Sequence, residues 1–110
     1  MATAYKTQQT VGSASTATYN TLYNTGVATT AVVASIHIAN EAATAVTVRI
    51  GLAASATTPA SGQFIALDWT VPANQTLTWN GPLTLGNSTY IRVSSSATTT
   101  TFTAAVAEIS

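Results

Sequence analysis

Residues 30–52 read TAVVASIHIANEAATAVTVRIGL, and the alternation in this stretch is the clearest structural signal in the chain. In residues 30–40 one set of alternate positions, predicted to point inward, is Val32, Ala34, Ile36 and Ile38. In residues 45–52 the matching set is Val46, Val48, Ile50 and Leu52. A period of two residues is typical of β-strands with one buried face. Asn40 and Glu41 supply turn chemistry between the two runs, so we predict two strands separated by a turn.

Similar segments recur about every dozen residues along the rest of the chain. They cover residues 16–24, 63–71, 75–85, 89–96 and 100–109. Glycine, proline and asparagine lie between them, as in the Thr58–Gly62 and Gly86–Ser88 stretches. No window of helical length has a convincing 3.6-residue stripe. The pattern predicts an all-β fold: an antiparallel β-sandwich of about seven short strands, either jelly-roll or Ig-like.

The domain organisation follows from the length of the chain and from its first residues. A chain of 110 residues is long enough for one domain and too short for two comfortable ones. Residues 1–15 are small and polar without firm alternation, and we predict an extended N-terminal arm there, with Tyr5, Lys6 and Thr7 as possible interface residues. Residues 16–110 are predicted to form a single β-sandwich domain.

Residues 68–79, DWTVPANQTLTW, hold both tryptophans of the chain beside Asp68. If the chain turns symmetrically about Asn74, residue 69 pairs with residue 79 across a hairpin, and one strongly apolar face results. We predict that this face lies in the core. The predicted core residues are Ile65, Leu67, Trp69, Val71, Leu77 and Trp79, together with Ile91 and Val93. The alternative is a platform on which the tryptophans stack against a sugar.

Charge is unusually scarce. Only 5% of the residues are charged, and the net charge is zero, whereas about 25% is usual in globular domains. Three cationic side chains cannot neutralise a run of phosphates, so we expect no nucleic-acid partner. A neutral chain also lacks the self-repulsion that keeps soluble monomers apart. This composition favours a protein that packs against neighbours, including copies of itself.

The chain has few side chains that could act in catalysis. His37 is the only imidazole, and we expect it to be a surface or half-buried histidine hydrogen-bonded to a neighbour. Glu41, Asp68 and Glu108 are scattered along the chain, there is no cysteine, and there is no Gly-x-Ser-x-Gly motif. We therefore predict no enzyme activity, with no catalytic, metal or cofactor residues. The cationic side chains of Arg49 and Arg92 and the Asp68 carboxylate are expected on outer strand faces, where they could pair across strands.

No apolar run approaches the roughly 20 residues of a membrane helix, so we expect no membrane partner. The first ten residues, MATAYKTQQT, lack the apolar centre of a signal peptide. We expect the protein to be made and kept in the cytoplasm of its producing cell, or to leave that cell inside something larger.

Several short motifs, each common in β-proteins, follow one another along most of the chain. They are Thr21-Leu22-Tyr23, Ser35 to Asn40, Val46 to Ile50, Phe64 to Asp68, Pro72 to Asn74, Leu83 to Leu85, Ile91 to Val93 and Glu108-Ile109. In these motifs and their order the chain resembles a family of small β-rich virion proteins of tailed bacteriophages, many from phages of cyanobacteria and other aquatic bacteria.

The resemblance implies a non-enzymatic structural role in the phage particle. Such proteins cement or decorate the capsid, or form part of the tail or its fibres. The first expectation is therefore a capsid decoration (cement) protein, made in the bacterial host cytoplasm. Its partners would be the major capsid protein and copies of itself, with a trimer favoured. The alternative expectation is a tail, baseplate or fibre component with a receptor- or glycan-binding role.

Overall fold

The computed structural model describes residues 3–27 and 29–109 and contains eight β-strands in the described ranges. The strands are β1 (Thr3–Val11), β2 (Asn20–Asn24), β3 (Thr30–Asn40), β4 (Val46–Ala53), β5 (Phe64–Val71), β6 (Thr76–Leu85), β7 (Tyr90–Ser95) and β8 (Thr100–Ile109). They match the seven predicted segments, with β1 as the additional strand. Residues 3–11 of the predicted arm thus belong to a sheet, whereas Met1 and Ala2 lie outside the described residues.

Two four-stranded sheets face each other. Sheet I has the strand order β1-β8-β3-β6, and sheet II has the order β2-β7-β4-β5, with every paired strand antiparallel. The chain changes sheet at each connection except that between β4 and β5. This order is that of a jelly roll, in which two Greek keys wrap around one core. The predicted all-β antiparallel sandwich is confirmed, and the jelly-roll topology replaces the Ig-like alternative.

The core lies between the two sheets and is built almost entirely from inward-facing aliphatic side chains. Phe102 is the largest fully buried side chain, and its burial alone represents several kcal/mol of hydrophobic stabilisation. Of the predicted core residues, Val71, Ile91 and Val93 are fully buried. Four others are only partly buried and pack against the core from the side: Ile65, Trp69, Leu77 and Trp79.

A β-bulge in β3 shifts the alternation that the sequence predicts there. Val33 pairs with Val106 and Ser35 with Ala105, so Ala34 is an extra residue in β3. As a result Val33 is fully buried, whereas Val32 lies on the outer face and is only partly buried. The prediction that Val32 and Ala34 point inward is therefore wrong, because the bulge moves the residues before it by one position.

A second bulge explains why Leu67 does not belong to the core. Trp69 pairs with Val48 and Ala66 with Ile50, which leaves one extra residue in β5 between them. Asp68 has a left-handed backbone there, with φ at +52°. The Leu67 side chain is 57% exposed, so the prediction that it is buried is wrong. Strict alternation from Ile65 to Val71 fails because the bulge breaks the register in the middle of the strand.

Candidate functional site

The two tryptophans lie at the open side of the sandwich and do not face each other across a hairpin. β5 is an edge strand of sheet II and β6 is an edge strand of sheet I, so the predicted pairing of residues 69 and 79 in one sheet is wrong. The link of residues 72–75 crosses from one sheet to the other. Trp69 and Trp79 nevertheless line one groove of about 550 Å³, which we call the tryptophan groove. Its other lining residues are Ile65, Ala66, Leu67, Asp68 and Thr70.

An ion pair lies at the tryptophan groove. Arg49 Nε donates to Asp68 Oδ1 at 2.6 Å, and Arg49 Nη2 donates to Asp68 Oδ2 at 3.3 Å. These hydrogen bonds with Asp68, followed by one with Tyr19, hold the pKa of the Arg49 guanidinium above its ordinary value. The Asp68 side chain is 51% exposed, so its carboxylate also remains open to a ligand. The groove thus offers two aromatic rings, aliphatic walls and one hydrogen-bonding carboxylate.

Arg92 does not join this pair. Its Nη2 donates to the carbonyl of Tyr19 at 3.0 Å, its Nε donates to the carbonyl of Thr57 at 3.1 Å, and its Nη1 donates to Thr21 Oγ1. The guanidinium therefore ties the chain before β2 and the β4–β5 loop to β7. Arg92 has a structural role, whereas Arg49 is the cation at the groove.

The outer face of sheet I is a continuous surface without charge, which we call the uncharged face. Its residues are Thr3, Tyr5, Thr7, Gln9, Val11, Thr30, Val32, Ser35, His37, Ala39, Thr76, Thr78, Asn80, Thr84, Thr101, Thr103, Ala105, Ala107 and Ile109. With His37 neutral, none of these described positions carries a charge. Charged side chains are common on solvated sheet faces, so this extent of neutral surface is unusual.

His37 lies near the middle of the uncharged face and is exposed. Its Nδ1 is 3.1 Å from Thr78 Oγ1, and its Nε2 is 3.4 Å from Ser35 Oγ. Within the described ranges, no group of three or more histidine, cysteine, aspartate or glutamate residues is placed to hold a metal ion. The histidine is thus a surface histidine with hydrogen-bonding neighbours, as the sequence analysis expected, and it lies on the exposed outer side of sheet I.

The three possible interface residues of β1 are divided between two environments. Tyr5 is 84% exposed and lies with Thr7 on the uncharged face. Lys6 points to the opposite side, where its Nζ is 3.0 Å from Glu108 Oε1. Tyr23 OH donates a hydrogen bond to Glu108 Oε2. This contact and the Lys6 ammonium hold the pKa of Glu108 below its ordinary value, and burial together with Glu108 raises the pKa of Tyr23.

The sequence analysis did not identify the uncharged face as a site. The signal was present, because threonines at alternate positions such as 76 and 78 or 101 and 103 mark the outer side of two strands. That these strands lie on either side of β3 follows only from the strand order.

The chain matches no protein-family model and no curated protein. Over the residues that the structure describes, no helix has the length and apolar character needed to cross a membrane.

Proposed function

We propose that the protein is a non-enzymatic structural protein of a bacteriophage virion. In this role it is a capsid decoration (cement) protein that binds and stabilises the major capsid lattice, together with copies of itself as a homo-oligomer. The observation that carries the proposal is the uncharged face. A surface that lacks charge over all four strands of a sheet can dock without leaving an ionised group unpaired, and its hydroxyl and amide side chains can form hydrogen bonds with a partner.

The size of the uncharged face fits a contact that is weak singly and strong when repeated. The face is four strands wide, at about 4.8 Å per strand, and about nine residues long, at about 3.4 Å per residue. Its area is therefore roughly 600 Å². A standard interface buries about 800 Å² on each partner, so this face lies near the lower end. A decoration protein is present in many copies on a symmetric shell. Linked copies gain affinity there through avidity, without any further contact.

The proposal is tested by adding purified protein to expanded capsids. We expect it to bind, to saturate at a fixed ratio to the shell protein, and to raise the temperature at which the heads disrupt. Ala105→Glu places a charge in the middle of the uncharged face and is expected to abolish binding. Ala56→Glu makes the same change at an exposed position of the β4–β5 loop and is expected to bind normally. If the purified protein bound to phage tails and not to heads, the proposal would be overturned.

The second candidate is a receptor- or glycan-binding role at a tail, baseplate or fibre, which the tryptophan groove favours. Indole faces in an open groove can stack on the apolar face of a sugar ring, and Asp68 can accept hydrogen bonds from its hydroxyls. Jelly rolls serve both in viral capsids and in lectins, so the fold does not choose between the candidates.

The two candidates separate in a fluorescence titration with host polysaccharides. Sugar binding in the tryptophan groove would quench emission in the parent protein, and the response would fall in Trp69→Phe and Trp79→Phe. A flat titration across host glycans, together with capsid binding, excludes the second candidate. Quenching without any binding to heads would favour it over decoration.

A further inference from the structure

β1 is attached to the fold in a way that differs from the other strands. It is an edge strand that pairs only with β8, over nine residue pairs from Thr3–Ile109 to Val11–Thr101. None of its nine residues is buried, and seven are exposed. Of the described residues that form the core cluster, none belongs to β1. Its attachment therefore depends on backbone hydrogen bonds and a few polar side-chain contacts rather than on apolar burial.

The polar side-chain contacts of β1 with other strands are few: two are with β8, and Asn20 Nδ2 at the start of β2 donates to the carbonyl of Val11, the last residue of β1, at 3.0 Å. Lys6 pairs with Glu108, and Gln9 Nε2 donates to Thr103 Oγ1 at 3.0 Å. Lys6 and Gln9 are themselves exposed, so water screens and competes with both contacts, and each adds little to the attachment of β1. Any copy of β1 would make the same contacts with any copy of β8.

The chain is fixed immediately after β1. Ser13 is only 6% exposed, its Oγ accepts from the Ser95 amide at 3.1 Å, and its carbonyl accepts from Ser95 Oγ at 3.1 Å. Gly12 lies between the end of β1 at Val11 and the anchored Ser13, and a Cβ at this position would collide with Ser95. The body of the fold from Ser13 onward thus holds together through its own contacts. The hinge at which β1 could leave is the short segment around Gly12.

We infer that β1 is exchanged between copies: β1 of one copy pairs with β8 of a neighbouring copy. The closed and exchanged forms contain the same β1–β8 ladder, so the balance between them depends on the hinge and on the concentration of copies. A short hinge favours exchange because it constrains the closed form. Nine extended residues span about 30 Å, enough to reach an adjacent domain. Tyr5, Lys6 and Thr7 then lie in a contact between two copies.

The register shows where to test the exchange. Gly12 N donates to Thr100 O, which makes pair 12–100 a hydrogen-bonded pair of the ladder. Thr7 and Ala105 then form a non-hydrogen-bonded pair, with Cα atoms about 4.5 Å apart, which is within disulfide range. The chain has no cysteine, so any disulfide comes from the introduced residues. Thr7→Cys and Ala105→Cys are made in separate chains, unfolded together, refolded under mild oxidation, and analysed by mass spectrometry of cross-linked peptides.

Exchange predicts a 7–105 disulfide between two chains, in an amount that rises with protein concentration. Thr7→Cys mixed with Ala56→Cys is the matched control for random collision, since residue 56 is exposed and lies outside sheet I. The double variant Thr7→Cys/Ala105→Cys reports whether β1 pairs with β8 at all.

The inference is overturned if the separate variants cross-link no more than the control at any concentration, while the double variant closes its disulfide within one chain. It is equally overturned if the double variant forms no disulfide. The experiment contains no capsid, so its failure is distinct from a failure of capsid binding.

Discussion

Asn40 provides the sharpest test of how the two sheets are joined. Its side chain is almost fully buried, and Nδ2 lies within hydrogen-bonding distance of the carbonyls of Thr44, Val71 and Pro72, at 2.9, 3.2 and 3.2 Å. Its Oδ1 accepts from the Ala42 amide at 2.9 Å. One amide thus ties the end of β3 to the β3–β4 turn and to the link where the chain crosses between sheets.

Asn40→Asp keeps the size and the acceptor but removes both N–H donors. Two lost hydrogen bonds cost about 1 kcal/mol each, and the buried carbonyls left without a donor raise the total to about 3–4 kcal/mol at pH 7. Domains of this size are stable by about 5–15 kcal/mol, so the effect is large. Asn80→Asp makes the same change at an exposed position and is expected to cost less than about 0.5 kcal/mol.

The pH dependence of Asn40→Asp gives a second readout. A buried carboxylate that faces carbonyl oxygens is disfavoured, so its pKa in the folded state lies above the value of about 3.9 in the unfolded chain. A raised folded pKa adds stability at low pH that is lost as the pH rises. The difference between variant and parent, measured by urea denaturation, should therefore shrink towards pH 4. A cost below about 1 kcal/mol at pH 7, or a difference that grows on acidification, would refute the reasoning.

Three further predictions concern other parts of the fold. The pKa of Glu108 is lower in the folded protein than in the unfolded chain, so this carboxylate adds stability that is lost as the pH falls. In Glu108→Gln the unfolding free energy should therefore fall less steeply on acidification than in the parent. An equally steep fall would contradict this. Gly51→Ala should cost about 1–3 kcal/mol, because the new Cβ would lie 2.7 Å from the Pro59 ring, whereas Gly86→Ala has open space and should be neutral or stabilising by denaturant titration. Phe102→Ala should cost about 3–5 kcal/mol by thermal and urea unfolding, and a clearly smaller loss is expected for Phe64→Ala, whose ring is only partly buried; equal losses would contradict the link between burial and stabilisation at these two positions.

The amino-acid sequence by itself determined the class of fold and most of the strands. Alternation at a period of two is a local property, and it identified β3, β4 and β7 and placed Ile91 and Val93 on a buried side. The scarcity of charge is a property of composition, which needs no knowledge of the fold, and it led to the expectation of a protein that packs against neighbours. The alternation arises within a few residues of chain, where backbone geometry alone fixes the side on which a side chain lies.

The tertiary structure decided the register, the partner of each strand, and therefore the sites. The bulges at Ala34 and in β5 reversed the sides of Val32 and Leu67, and the crossing at residues 72–75 put Trp69 and Trp79 in different sheets around one groove. It also placed β1 at the edge of sheet I and assembled the uncharged face from four strands distant in sequence. These features depend on which strands pair, and pairing is set by contacts between residues far apart in the chain, which a local repeat does not encode.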